Sequence, residues 1–209
     1  MNQPLVSVII PAHNSAHSIG ECLDSVFEQT HPNFQVIVVD DGSEDDTWEV
    51  LSAYPKDLVL ARQENAGQGA ARNAGIKLAT GTYVTFLDAD DFWLPDFMVR
   101  TVAFLEENKE AIGVTCSFKL SRESEQSFPQ LEKKDFDPPT RVLENFFEFW
   151  GKYDHIRTGT CLMRKSIIDQ TDGQLADLRI SQDLEYWAYF ATFGKMGFIR
   201  DAMWVGNSR

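Results

Sequence analysis

Basic charge is scarce in this chain: 19 Lys and Arg stand against 32 Asp and Glu, a net charge of −13. No basic stripe is left that could release the counterions of a nucleic-acid backbone, so DNA and RNA are excluded as partners. Cysteine is scarce as well. Cys22, Cys116 and Cys161 are odd in number and share no CxxC spacing, which excludes a disulfide framework. They read as reduced, mostly buried thiols in a cytoplasmic setting. Long apolar runs are missing: residues 5–10 (LVSVII) are too few for a signal peptide or a membrane span, and no basic segment precedes them. The chain therefore reads as soluble, with peripheral contact at the inner face of a membrane left open. Internal repeats and low-complexity tracts do not occur. The GxGxxG of a dinucleotide-binding fold is also absent: after the first apolar run stands Pro11-Ala12-His13-Asn14.

What is present, over 209 residues, is enough for one core with a smaller lobe. Residues 5–10 predict a β-branched strand stopped by Pro11. Asn14 or Ser15 would cap a helix whose apolar residues Ile19, Cys22, Leu23, Val26 and Phe27 recur at helical spacing. Strands follow at 34–39, 58–61 and 83–87, separated by helices at 47–53 and 68–79. Beyond Pro95 come a helix through Met98, Val102 and Leu105 and a strand over 112–118. A polar linker spans 121–140, then an aromatic helix 142–150 and a strand 158–164. A helix over 183–193 and a short strand at 197–199 complete the series. Strands alternating with helices of this length imply parallel pairing through right-handed crossovers, an open α/β sheet.

In such sheets ligands bind outside the carboxyl ends of the strands. Three unusual loops fall there: Pro11-Ala12-His13-Asn14, Asp40-Asp41-Gly42-Ser43 and Asp88-Ala89-Asp90-Asp91. Alone, the acidic run could be a solvated turn. In an extended chain, however, Asp88 and Asp90 project the same way, and two convergent carboxylates need a cation or strong hydrogen-bond donors to stay ionised. They suit Mg²⁺ or Mn²⁺, ions that keep positions open for phosphate oxygens.

With SVIIPAHN, VVDDGSEDDT, ENAGQGAARNAG, GTYVTFLDADD and SQDLEYW in order, the chain resembles the family 2 glycosyltransferases, inverting enzymes that use nucleotide sugars. The resemblance implies a GT-A fold: a Rossmann-like, mostly parallel central sheet flanked by helices, with a smaller acceptor-side lobe. It implies one domain over residues 1–209, with a nucleotide-sugar-binding half at 1–110 and an acceptor-side half at 111–209. It also implies the partners: a nucleotide-sugar donor, with UDP favoured, and a glycan or lipid-linked acceptor hydroxyl, in cell-surface polysaccharide synthesis.

Residue by residue, the resemblance makes Pro11, Ala12 and His13 a wall of the nucleotide pocket. Asp41 would accept from a uracil-type imide. Asp40 would make an ordinary Asx contact to the following loop. Gly67-Gln68-Gly69 would bring backbone close to the ligand, and Arg72 would pair with phosphate or the base edge. In Asp88-Ala89-Asp90, Asp90 would touch the metal directly, while Asp88 would hold donor hydroxyls and help complete the metal's shell. Asp183 would be the general base, with a helix N-cap as its competing role. Trp187, four residues on, would wall the acceptor site or pack in the core. The chain departs from the family at Gln182, where Glu is usual, and lacks the QxxRW of processive synthases. Those departures keep a non-catalytic, glycosyltransferase-like binding domain as the alternative. A haloacid-dehalogenase phosphatase would carry its DxD on the first strand, not the fourth.

Overall fold

The computed structural model describes residues 3–120, 127–128, 140–153, 156–176, 178 and 182–206. Strand β1 (Val6–Ala12) is buried at every position, as its run of β-branched residues requires. Val6, Val8 and Ile10 face one layer of core and Ile9 the other, following the two-residue period of a strand. Helix α1 (Ile19–Phe27) buries Ile19, Cys22, Leu23 and Val26 on the first layer. It begins after Ser18, later than the cap read at Asn14 or Ser15. Ser15 instead offers its carbonyl to the N–H groups of Ser18 and Ile19. Then come β2 (Phe34–Asp41), α2 (Thr47–Ser52), β3 (Val59–Gln63), α3 (Gln68–Leu78) and β4 (Tyr83–Phe86). These four strands lie parallel in the order β3-β2-β1-β4.

The second half extends this sheet in mixed fashion. The two residues Phe92–Trp93 form β5, α4 covers Phe97–Glu107, and β6 covers Ala111–Lys119. β7 (Ser127–Phe128) pairs antiparallel with β6. The rest of the expected linker, residues 121–126 and 129–139, lies outside the described residues. The aromatic helix lies later than its periodicity suggests: Thr140–Val142 is a strand, β8, and α5 runs from Phe146 to Tyr153. Val142 is drawn into antiparallel pairing with Gly197, a tertiary contact that overrides local pattern.

β9 is Cys161–Arg164, because the three residues before it turn as a 3₁₀ helix. Then follow α6 (Lys165–Ile168), α7 (Gln182–Phe190) and β10 (Lys195–Val205). The last strand has 11 residues, far beyond 197–199, and keeps parallel to β6 through register shifts between Ile199 and Trp204. β9 lies antiparallel between β4 and β6 and joins the two halves into one sheet.

The layers sort by helix. Cys22, Leu23 and Val26 of α1 pack with Met98, Val102 and Leu105 of α4 on one face. Ala71 of α3, Phe149 of α5, and Trp187 and Phe190 of α7 cover the other. Each Leu, Val, Met or Phe among them contributes roughly 1.5–3 kcal/mol by leaving water, which fixes the strand ends that carry the polar loops. All three cysteines are free and buried, and no helix among the described residues is long and apolar enough to cross a membrane.

Candidate active site

β1, β2 and β4 end side by side, and the loops beyond them enclose a pocket of about 240 Å³. Of the residues singled out in the sequence, Pro11, Ala12, His13, Asp41, Ala89 and Asp90 line it. Asn14, Ser15, His17, Ser18 and Gln68 line it too, although the first two read from sequence as helix caps and His17 and Ser18 carry no motif. Gly69 is buried inside α3, and Gly69, Arg72, Asp88 and Asp183 are not among the lining residues.

Asp41 is 3% exposed, and its carboxylate organises the far wall. Oδ1 accepts from Gln63 Nε2 at 2.7 Å and from the Ala66 N–H at 2.9 Å, and Oδ2 accepts from the Gly67 N–H at 2.8 Å. Gly67 can present that N–H because it sits at φ 90°, a region other residues reach only with strain. A carboxylate offers about four acceptor positions, so one position on Oδ2 is left for a donor in the pocket. Asp40 makes the Asx contact expected of it, taking the Ser43 N–H at 3.1 Å. Arg62 Nε lies 2.9 Å from Asp40 Oδ2, close enough for an ion pair but not aligned as a hydrogen bond.

His13 is oriented by its neighbours. Nδ1 is 2.9 Å from the Asp41 carbonyl, which can only accept, so Nδ1 carries the proton. Nε2 then accepts from Asn14 Nδ2 at 3.2 Å. The Asn14 amide cannot be reversed, because its Oδ1 takes the Glu44 N–H at 2.8 Å. The imidazole thus presents a fixed face to the pocket.

The acidic run is a tight turn rather than an extension of the strand: the Asp91 N–H bonds the Asp88 carbonyl at 3.0 Å. The backbone is therefore not the extended chain on which the alignment of the two carboxylates rests. Asp88, 23% exposed, meets Arg72 Nη2 through Oδ1 at 2.6 Å. Arg72 is 2% exposed and faces the acidic turn, not the pocket. Asp90 is exposed, and its carboxylate has no hydrogen bond or ion pair among the described residues. Beneath the turn, Cys22 Sγ donates to the Asp88 carbonyl at 3.5 Å. Burial first, and then the negative charge of Asp91, Asp88 and Asp90, pushes that thiol well above its usual range.

No group of three His, Cys, Asp or Glu able to hold a metal occurs among the described residues. What exists is Asp90, uncommitted among the described residues, and the Asp88 oxygen that Arg72 does not hold. That donor set does not fit a resident ion in an all-protein cage. It fits Mg²⁺ or Mn²⁺ held by one or two carboxylates and completed by phosphate oxygens and water.

Asp183 occupies the first turn of α7 and is half-buried. One turn on, Trp187 is 1% exposed, and its ring lies 6.4 Å from that of Phe86 in β4. Trp187 therefore packs in the core. Together with Tyr186, 6.3 Å from the same ring, it fastens α7 to the strand that leads into Asp88.

Residues 7–171 match the family model described as Glycosyl transferase family 2, and the chain belongs to that family. The putative teichuronic acid biosynthesis glycosyltransferase TuaG of Bacillus subtilis (strain 168) is 31% identical over 99% of this chain and 81% of its own length. The UDP-Glc:alpha-D-GlcNAc-diphosphoundecaprenol beta-1,3-glucosyltransferase WfaP of Escherichia coli is 36% identical over 50% of this chain and 43% of its own. The chain spans 63% of the length of one Rickettsia prowazekii glycosyltransferase and 20% of another from Rickettsia conorii. Among solved structures, S. aureus TarS 1-349 in complex with UDP-GlcNAc superposes with a TM-score of 0.78 at 25% identity, over 98% of this chain and 58% of that 1-349 chain. The mannosyltransferase PcManGT of Pyrobaculum calidifontis, in complex with GDP-Man and Mn²⁺, shares the fold at a TM-score of 0.68 and 23% identity, over 97% of this chain and 56% of its own.

Proposed function

We propose that this chain transfers a sugar, with inversion, from a UDP-sugar to a hydroxyl of a glycan or lipid-linked acceptor in cell-surface polysaccharide synthesis. The observation that carries the reading is the pocket at the ends of β1, β2 and β4, which has an open acceptor position on Asp41 at one wall and, at another, Asp90, unpaired among the described residues. Asp41 suits an imide N–H, and the fixed face of His13 suits a base or ribose. The UDP-GlcNAc held by TarS and the UDP-Glc named for WfaP support UDP as the nucleotide. The diphosphoundecaprenol in WfaP's name supports a lipid-carried acceptor, and with it work at the inner face of a membrane.

Asp183 is the base in this reading. As the acceptor oxygen bonds the anomeric carbon, its proton passes to the Asp183 carboxylate and the bond from that carbon to the diphosphate oxygen breaks on the opposite side. Bound by Asp90 with help from Asp88, a divalent cation supplies neutralisation of the charge that gathers on the leaving diphosphate. The Mn²⁺ bound to PcManGT supports the choice of ion.

Calorimetry with UDP, GDP, CDP and dTDP, each with and without Mn²⁺, tests the donor. UDP should bind, and more tightly with the metal. A folded protein that binds none of the four overturns the reading and favours the non-catalytic alternative. Asp183→Asn should keep UDP binding and lower transfer by about 10²–10⁴-fold; undiminished transfer would remove Asp183 from the role.

A further inference from the structure

Gln174, in the described stretch after α6, is fastened to α3 by a reciprocal pair. Asn73 Nδ2 donates to the Gln174 carbonyl, and the Gln174 N–H donates to Asn73 Oδ1, each at 2.8 Å. Just before it, Gly173 has φ +78°, and a Cβ there would stand 2.5 Å from Asn73 Oδ1, so the approach is closer than a side chain permits. This contact delivers the Gln174 side chain, 3% exposed, to the guanidinium of Arg72.

Gln174 Oε1 accepts from Arg72 Nη1 at 3.2 Å, while Arg72 Nη2 holds Asp88 Oδ1 at 2.6 Å. A guanidinium is planar and rigid, so whatever fixes Nη1 also fixes Nη2. Reversing the amide would set an NH₂ group against Nη1, so Oε1 must face the arginine. That leaves Gln174 Nε2 and Arg72 Nε buried without a hydrogen-bond partner among the described residues. An apolar side chain at 174 would avoid one of these orphaned donors, so packing alone does not account for a glutamine.

We infer that Gln174 is a positioning residue for the donor site, setting the place of the Asp88 carboxylate through Arg72. The inference rests on the donor reading of the pocket.

A double-mutant cycle between Gln174→Leu and Asp88→Asn tests it, read both as UDP affinity with Mn²⁺ and as the midpoint of urea unfolding. Gln174→Leu should weaken Mn²⁺-dependent UDP binding about tenfold, the scale of one hydrogen bond to a charged group. In the Asp88→Asn background the same change should cost less than about threefold, because the residue it acts on is already altered. Equal fold losses in both backgrounds would show a general structural effect and overturn the relay. If the parent protein binds no nucleotide, the donor reading fails separately, and the unfolding cycle still decides the relay: additive shifts refute it, coupled shifts support it. Should Gln174→Leu not fold, Gln174→Glu serves in its place. Its carboxylate competes with Asp88 for the guanidinium, and UDP affinity should fall only where Asp88 is intact.

Discussion

Arg72 and Asp88 meet at 2.6 Å with the cation almost wholly buried and the carboxylate a quarter exposed, whereas Asp90, two residues along, has no such partner among the described residues. One short motif thus holds a structural carboxylate and a free one. Asp88→Ala strands a buried guanidinium and should destabilise the fold by about 3–5 kcal/mol. Asp90→Ala should leave stability within about 0.5 kcal/mol, as exposed substitutions do, yet abolish metal-dependent UDP binding. Urea unfolding and calorimetry on both variants check the contrast.

Asp41 faces three donors with two oxygens. Asp41→Asn keeps the shape but turns an NH₂ group toward Gly67 or toward Gln63 and Ala66. It should cost about 1–3 kcal/mol, the penalty for a buried donor left facing another. UDP affinity should fall at least tenfold. A variant as stable as the parent would mean that Asp41 does not hold the wall.

Gly159 is wedged between two tryptophans. Its carbonyl takes the Trp93 Nε1–H at 2.6 Å, and a Cβ would collide with the indole Nε1 and Cδ1 of Trp204. Gly159→Ala should destabilise by about 1–3 kcal/mol through overpacking, lowering the melting temperature. Adding Trp204→Phe trims the ring at the point of collision and should recover part of the loss.

Alkali should unfold the protein for a nameable reason. Burial raises Cys22 and Cys161 well above 9.0, and it raises Cys116 and Tyr83 to about 12. Tyr83 also donates to Glu106, a contact that its ionisation would break. The folded state keeps these protons after the unfolded chain has lost them, so stability is full below about pH 8 and falls as pH rises past 9 toward 12. Urea midpoints measured from pH 7 to pH 10.5 should decline steadily over the upper part of that range. A thiol reagent should find none of the three cysteines before unfolding.

Much of this was legible because the first half is built from local signals. β1, β2 and β4 are runs buried on both faces, and α1 shows its helical period, so the three polar loops at the strand ends could be placed together before any coordinates. What escaped were contacts between distant residues. Nothing local to Phe92 and Trp93 marks them as a strand; β10 makes them one. Val142 carries a helical pattern but is held extended by Gly197. In the site, the extended reading of Asp88 and Asp90 failed because the chain turns at Asp88, and the partner of Asp88 proved to be an arginine assigned to the ligand. His17 and Ser18 belong to no motif and reach the pocket only through the path of the loop before α1.

The placement of β9 bears on how the molecule is made. Thr85 Oγ1 donates to the carbonyl of Cys161, a residue 76 positions later in the chain. On the ribosome, β4 therefore emerges with one edge bare, and that edge stays unpaired until its antiparallel neighbour has been synthesised. A bare apolar edge is a template for wrong pairing, and here it belongs to the strand that leads into Asp88. The strand that leads into the acidic turn gains its second neighbour only once translation has passed Arg164.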